Sequence, residues 1–137
     1  MNLSLEYIAG FFDGEGCITS QLQYITGKYE KYPRVSVQIT ITQKSTIVLN
    51  EIQKMYGGTV RLKGSGCSVL NITGKDKMHK FLTDITPYLV EKKEQAEIAL
   101  EFVNSIRTEN LGCVALDKDI HEKRELIHRR LKLLKVA

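Results

Sequence analysis

Proline is scarce, with two residues in 137, and only ten glycines are spread along the chain. That composition excludes a low-complexity or disordered protein. No stretch rich in proline, glycine or serine separates one half from the other, so a single domain over residues 1–137 is expected. Cysteine is equally sparse. Cys17, Cys67 and Cys113 are odd in number and far apart, and no CxxC pair occurs. A zinc site or disulfide framework is therefore not expected, and a reducing, intracellular compartment is. No apolar run reaches the roughly 18 residues a membrane helix needs. The first ten residues lack the basic start and long apolar stretch of a secretion signal. Neither a membrane nor an extracellular setting is expected.

What is present is 42% apolar residues, enough for a core, and a net charge of +4 that is unevenly placed. Residues 1–17 carry Glu6, Asp13 and Glu15 and no base. Residues 18–74 carry seven basic side chains against Glu30 and Glu51. A basic middle behind an acidic start suits a phosphate-bearing partner such as DNA or RNA.

Periodicity gives the elements. Residues 5–13 read as a short apolar helix, with Ser4 able to cap it and Glu6 in its first turn. From Cys17 to Tyr24 the pattern turns to period two, and residues 25–31 look like a loop. In residues 34–42, Val35, Val37, Ile39 and Ile41 alternate strictly with Arg34, Ser36, Gln38, Thr40 and Thr42. This is a half-buried strand with one polar face, paired with the strand before it. A helix over 46–56 follows, with Val48, Leu49, Ile52, Met55 and Tyr56 inward and Gly57-Gly58 as its stop. Ile47 is also expected in the core. A second hairpin joins Thr59–Lys63 to Cys67–Thr73 through Gly64-Ser65-Gly66, with Val60, Leu62, Leu70 and Ile72 facing the core. Helices are expected over 75–86, 92–106 and 117–135. The last is basic and amphipathic, striped by Ile120, Ile127, Leu131 and Leu134, its charged face read as solvated. The whole is α+β, in the order αββαββα with further helices at the C-terminus.

The chemistry concentrates in Ile8-Ala9-Gly10-Phe11-Phe12-Asp13-Gly14-Glu15-Gly16. Ala9 and Asp13 are four apart, as are Gly10 and Gly14, which puts small residues on a helix face. Small faces let two helices cross closely. Glu15 then ends the helix, where the backbone is already partly negative. Two such ends side by side are unfavourable without a hard, oxygen-seeking cation such as Mg²⁺.

This nine-residue segment resembles the LAGLIDADG motif, and the chain is similar to the single-motif LAGLIDADG homing endonucleases over roughly residues 5–106. The resemblance implies a saddle of two hairpins seated on DNA and a motif helix crossed with its counterpart. With one motif per chain, the counterpart comes from a second copy, so a homodimer on a near-palindromic duplex is expected. Glu15 and the carbonyl of Gly14 are the expected metal ligands, with Ala9, Gly10 and Asp13 at the dimer interface. Asp13 is expected to cap the partner helix rather than bind metal. Thr42, Gln43 and Lys44 resemble a family segment in which a glutamine lies near the active-site water, which implies that role for Gln43. Pro87, Tyr88 and Leu89 followed by Lys92 resemble another, in which a lysine reaches the cleavage site. Gln43 could equally cap the helix that begins near Ser45, and Lys92 could be a solvated lysine beside Glu91 and Lys93. Where some close relatives carry an arginine four positions after the glutamine, this chain has Ile47. Residues 107–137 form a C-terminal helical extension with no transferable motif.

The outward strand residues Thr19, Gln21, Gln23, Arg34, Ser36, Gln38, Thr40, Arg61, Lys63 and Asn71 are the candidates for DNA contact. Gln, Asn and Arg are the side chains that read adenine and guanine edges bidentately. A solvated sheet face would carry more Asp and Glu than this. A strand of about eleven residues spans about 36 Å, or roughly 10 base pairs. The family also contains RNA maturases that assist intron splicing, for which Glu15 is dispensable, so intron RNA and a non-cleaving DNA-binding role are the alternatives.

Overall fold

The computed structural model describes residues 3–23, 34–105 and 118–136. The elements are α1 (Leu5–Glu15), β1 (Gly16–Gln23), β2 (Arg34–Gln43), α2 (Ile47–Tyr56), β3 (Thr59–Leu62) and β4 (Ser68–Ile72). After them come α3 (Lys75–Ile85), a 3-10 turn (Thr86–Tyr88), α4 (Lys93–Ser105) and α5 (Lys118–Val136). This is the expected αββαββα order with two further helices. The loop expected at 25–31 lies outside the described residues.

Ser4 caps α1 as expected, its Oγ accepting the Tyr7 N–H at 3.1 Å, and Glu6 lies in the first turn. The helix runs two residues past Asp13 and ends on Glu15, with Gly16 already in β1. Ile8, Ala9 and Phe12 are its buried side. Phe12 meets Phe81 of α3 edge to face at 5.4 Å. A Cβ on Gly16 would lie 2.1 Å from the Phe12 ring, so this glycine is required by packing at an ordinary φ of −86°.

The four strands form one antiparallel sheet in the order β1-β2-β4-β3. Ile18 stands opposite Ile39, and Ile39 opposite Ile72; Gly16 and Leu70 flank Ile41. Val35, Val37, Ile39 and Ile41 are all buried, as alternation demands. The helices cover this face. Ala96, Ala99 and Val103 of α4 are buried, with Leu100 partly so, and Ile98 and Phe102 are buried too because α4 lies between α3 and α5. Ile127 and Leu131 close the core from α5.

Three expected core positions fall elsewhere. Ile47 is 62% exposed, because α2 begins there and its buried stripe of Leu49, Ile52 and Tyr56 starts two residues later. Met55 is exposed on the same helix, off that stripe. Leu62 is 75% exposed. It ends a four-residue edge strand, so neither its outer flank nor the chain beyond it supplies cover.

Candidate active site and nucleic-acid interface

The C-terminal end of α1 gathers the expected site residues. Glu15 is the last helical residue and its side chain is exposed. No linker separates it from β1, whose first residue, Gly16, pairs with Ile41 of β2. That register brings the helix end beside the last residues of β2, Thr42 and Gln43. Gln43 pairs with Ser68 of β4, and its Oε1 accepts the Lys44 N–H at 3.0 Å. Gln43 thus caps its own turn, while its amide NH₂ remains a donor. The helix start near Ser45 is served instead by Ser45 itself, whose Oγ accepts the Ile47 N–H at 3.3 Å.

Lys92 meets the same helix end from the other side. Its Nζ donates to the carbonyl of Asp13 at 2.7 Å, and its N–H donates to Asp13 Oδ1 at 3.0 Å. Asp13 Oδ2 accepts the Val90 N–H at 2.8 Å. A cation at the carbonyl end of α1 and a carboxylate just before α4 are both favourable to the helix dipoles. Asp13 does serve a helix start, but that of its own chain. Each carboxylate oxygen keeps a further lone pair, so the expected cap on a partner helix is compatible with this contact.

The small-residue face of α1 also divides differently than expected. Ala9 has no exposed surface and packs in its own core, so it faces away from any partner. Gly10 and Gly14 lie on the opposite side, and a Cβ on either would meet nothing within 4 Å. Tyr7 and Phe11 border them, their rings stacked at 6.2 Å, with Tyr7 exposed and Phe11 half-buried. Positions 7, 10, 11 and 14 have the spacing of one helix face. The run from Tyr7 contained that signal, but the short side chains of Ala9 and Asp13 obscured it.

Glu15 and the Gly14 carbonyl offer oxygen donors, which fit a hard divalent cation. They are too few to complete a coordination sphere. Among the described residues no group of three or more His, Cys, Asp or Glu side chains is placed to hold a metal. A cation here would draw its remaining ligands from outside the chain, such as phosphate, water or another Glu15.

The sheet face turned away from the helices carries the expected polar row. Thr19 stands opposite Gln38, Gln21 opposite Ser36, and Thr40 opposite Asn71. Gln21, Arg61 and Lys63 are exposed, and Thr19, Ser36, Gln38, Thr40 and Asn71 are half-buried. Gln23 and Arg34 pair at the far end of the β1–β2 hairpin. The Thr19 hydroxyl is partly committed, donating to the Gln38 carbonyl at 3.5 Å. Lys63 begins a tight turn, accepting the Gly66 N–H at 3.1 Å and donating to the Cys67 carbonyl at 2.7 Å. Thr42, expected on this polar face though not among the DNA candidates, shares it by register, and so does Thr59, which was not anticipated. Val69 does too. It is 2% exposed yet lies outside the core cluster, between Thr42 and Arg61. The face therefore has an apolar floor beneath its polar surface.

Among the described residues burial also shifts Tyr56 and His128. The Tyr56 hydroxyl, buried and donating to Asp84 Oδ2 at 2.9 Å, is held well above its ordinary pKa. The His128 imidazole on α5 is held below its ordinary value, first by burial and then by Lys132, with Glu125 opposing.

Residues 8–107 match the model of the LAGLIDADG endonuclease family. The chain is 34% identical over 107 residues to the DNA endonuclease I-CvuI of Chlorella vulgaris, covering 76% of this chain and 66% of that one. It is 30% identical over 105 residues to the DNA endonuclease I-CreI of Chlamydomonas reinhardtii, covering 74% and 63%. It thus spans a little under two thirds of these relatives. The crystal structure of I-CvuI with the I-CreI target and Mg superposes with a TM-score of 0.80 at 28% identity, covering 95% of this chain and 80% of that one. The α+β saddle fold is shared with these proteins, and the chain belongs to the LAGLIDADG endonuclease family.

Proposed function

We propose that two copies of this chain cross at α1 and hydrolyse both strands of a long, near-palindromic DNA duplex with a divalent cation, Mg²⁺ being the natural candidate. The observation that carries this is the face of Tyr7, Gly10, Phe11 and Gly14 ending at an exposed Glu15. Glycine inside a helix costs up to about 1 kcal/mol relative to alanine. Among the described residues nothing crowds Gly10, and a neighbour outside the chain accounts for its use. A two-fold pairing brings the two Glu15 carboxylates together, where only a cation makes them compatible.

In this reading each Glu15, with the Gly14 carbonyl, holds the metal beside a scissile phosphate. A bound divalent cation supplies an activated water and neutralises charge on the leaving oxygen. Gln43 orients water through its amide NH₂. Lys92 fixes the end of α1 and offsets negative charge where the phosphate arrives. The polar sheet face lies along the major groove, with Gln21, Gln38, Arg61 and Asn71 able to bond base edges and Lys63 a phosphate.

Plasmid cleavage in Mg²⁺ by the unaltered chain and by Glu15→Gln tests this. The chain should cut and the variant should bind the same DNA without cutting. Continued cutting by Glu15→Gln would remove Glu15 from the chemistry, and binding without cutting by the unaltered chain would make it a DNA-binding protein only.

A further inference from the structure

One buried polar contact in the molecule has no part in the site above. Ser20 of β1 is 3% exposed and His128 of α5 is 9% exposed. Ser20 Oγ and His128 Nδ1 are hydrogen-bonded at 2.7 Å across 108 residues of sequence. Ser20 interrupts an otherwise apolar inner row. It follows Ile18 and faces Val37, on the side of the sheet that α5 covers. A β-branched apolar residue would bury more surface there. A buried hydroxyl and a buried imidazole are tolerable only because they satisfy one another. A hydrogen bond also has a direction, which apolar packing lacks.

The strand it holds matters. Among the described residues β1 is an edge strand, paired by β2 alone. The residues on either side of Ser20 are Thr19 and Gln21, which project to the polar face. Anything that rotates or shifts β1 at Ser20 moves those two side chains with it. Discrimination by hydrogen bonds to base edges is sensitive to such displacements.

We infer that His128 is a positioning residue for DNA reading: from the back of the sheet it fixes Ser20, and through Ser20 it sets where Thr19 and Gln21 meet the bases. The inference rests on the reading of the polar face as the DNA surface. It assigns α5 a share in specificity, though the contact lies on the face of the sheet away from DNA.

The test is site selection from randomised duplex DNA by the full chain, by Gln21→Ala, by Arg61→Ala, by His128→Asn and by the double variant Ser20→Val with His128→Leu. Gln21→Ala marks the base pairs read from β1. Asparagine can place an amide atom near the position of Nδ1, so His128→Asn should keep the original preferences. The double variant replaces both polar partners with apolar ones, a change that can be nearly neutral for stability. It should melt close to the unaltered chain yet lose about tenfold discrimination at the pairs marked by Gln21→Ala. Preferences at the pairs lost in Arg61→Ala should stay. An unchanged profile in the double variant, or an equal loss at every position, overturns the inference. If the unaltered chain selects no duplex at all, the DNA reading falls first and this inference with it.

Discussion

The Asp13 carboxylate accepts the Lys92 amide while the Lys92 ammonium donates to the Asp13 carbonyl, so two residues 79 apart in sequence close a ring of hydrogen bonds at the end of α1. Removing the carboxylate leaves the Val90 and Lys92 amides without their acceptor. Asp13→Ala should therefore cost about 1–3 kcal/mol, the range for losing one partner of a charged hydrogen bond. Asp13→Asn, which keeps one acceptor, should cost less. Urea unfolding measures both, and an unshifted midpoint for Asp13→Ala would show that the latch contributes nothing.

Two glycines of the same motif should answer oppositely to a methyl group. Gly16→Ala sets a Cβ against the buried Phe12 ring, and overpacking of this kind costs about 1–3 kcal/mol. Gly10→Ala meets open space and should hold or raise stability, by up to about 1 kcal/mol. Thermal melts separate the two. A Gly16→Ala chain as stable as the parent would mean that Phe12 yields freely.

A larger side chain at Gly10 should leave the fold intact and break the pairing. Gly10→Leu is expected to show the circular dichroism of the parent and to sediment at half its mass, with cleavage lost. A Gly10→Leu dimer that still cuts would place the interface elsewhere.

His128 should make stability depend on mild acid. The unfolded chain protonates its histidine near pH 6.5, whereas the folded imidazole protonates only at lower pH. Below about pH 6.5 the unfolded state therefore binds more protons, and stability falls as pH drops through the folded value. Above that range the contribution is fully present. Denaturant unfolding near neutrality and near pH 5 should show the decline, and His128→Asn should flatten it. An equal slope in the variant would assign the acid sensitivity to carboxylates instead.

DNA affinity should fall with salt, each phosphate contact adding to the steepness. Lys63→Ala should lower the slope of log affinity against log salt by about one while leaving base preferences as they were. Unchanged steepness would take Lys63 off the phosphate path.

The sequence disclosed the fold where a period was clean. Val35 to Ile41 alternate without exception, and the sheet register follows from them. The motif helix was legible because nine positions constrain it together. What escaped depended on where an element begins, ends or finds cover. Ile47 and Leu62 are apolar residues at element ends, and composition does not say that the covering layer stops short of them. Ala9 and Gly10 are equally small, yet only the angle of α1 on the sheet decides which one meets the core. Tyr7 and Phe11 carried the helix-face spacing, but an apolar helix does not by itself say which of its sides the core covers. Ser20 and His128 lie 108 residues apart, and no local pattern joins them.

The passage from Glu15 to Gly16 takes the chain from helix to strand without a spare residue. The acidic tip and the reading strand are thus one rigid rule, graduated at about 3.3 Å per residue. Under the proposed function, where the chain cuts relative to the bases it reads is set by covalent geometry rather than by a flexible joint. One residue inserted after Gly16 would both lengthen the rule and turn its markings over, burying Thr19 and Gln21 and exposing Ile18. Under that function the bases recognised can change one side chain at a time, while the spacing from Glu15 to the strand stays fixed.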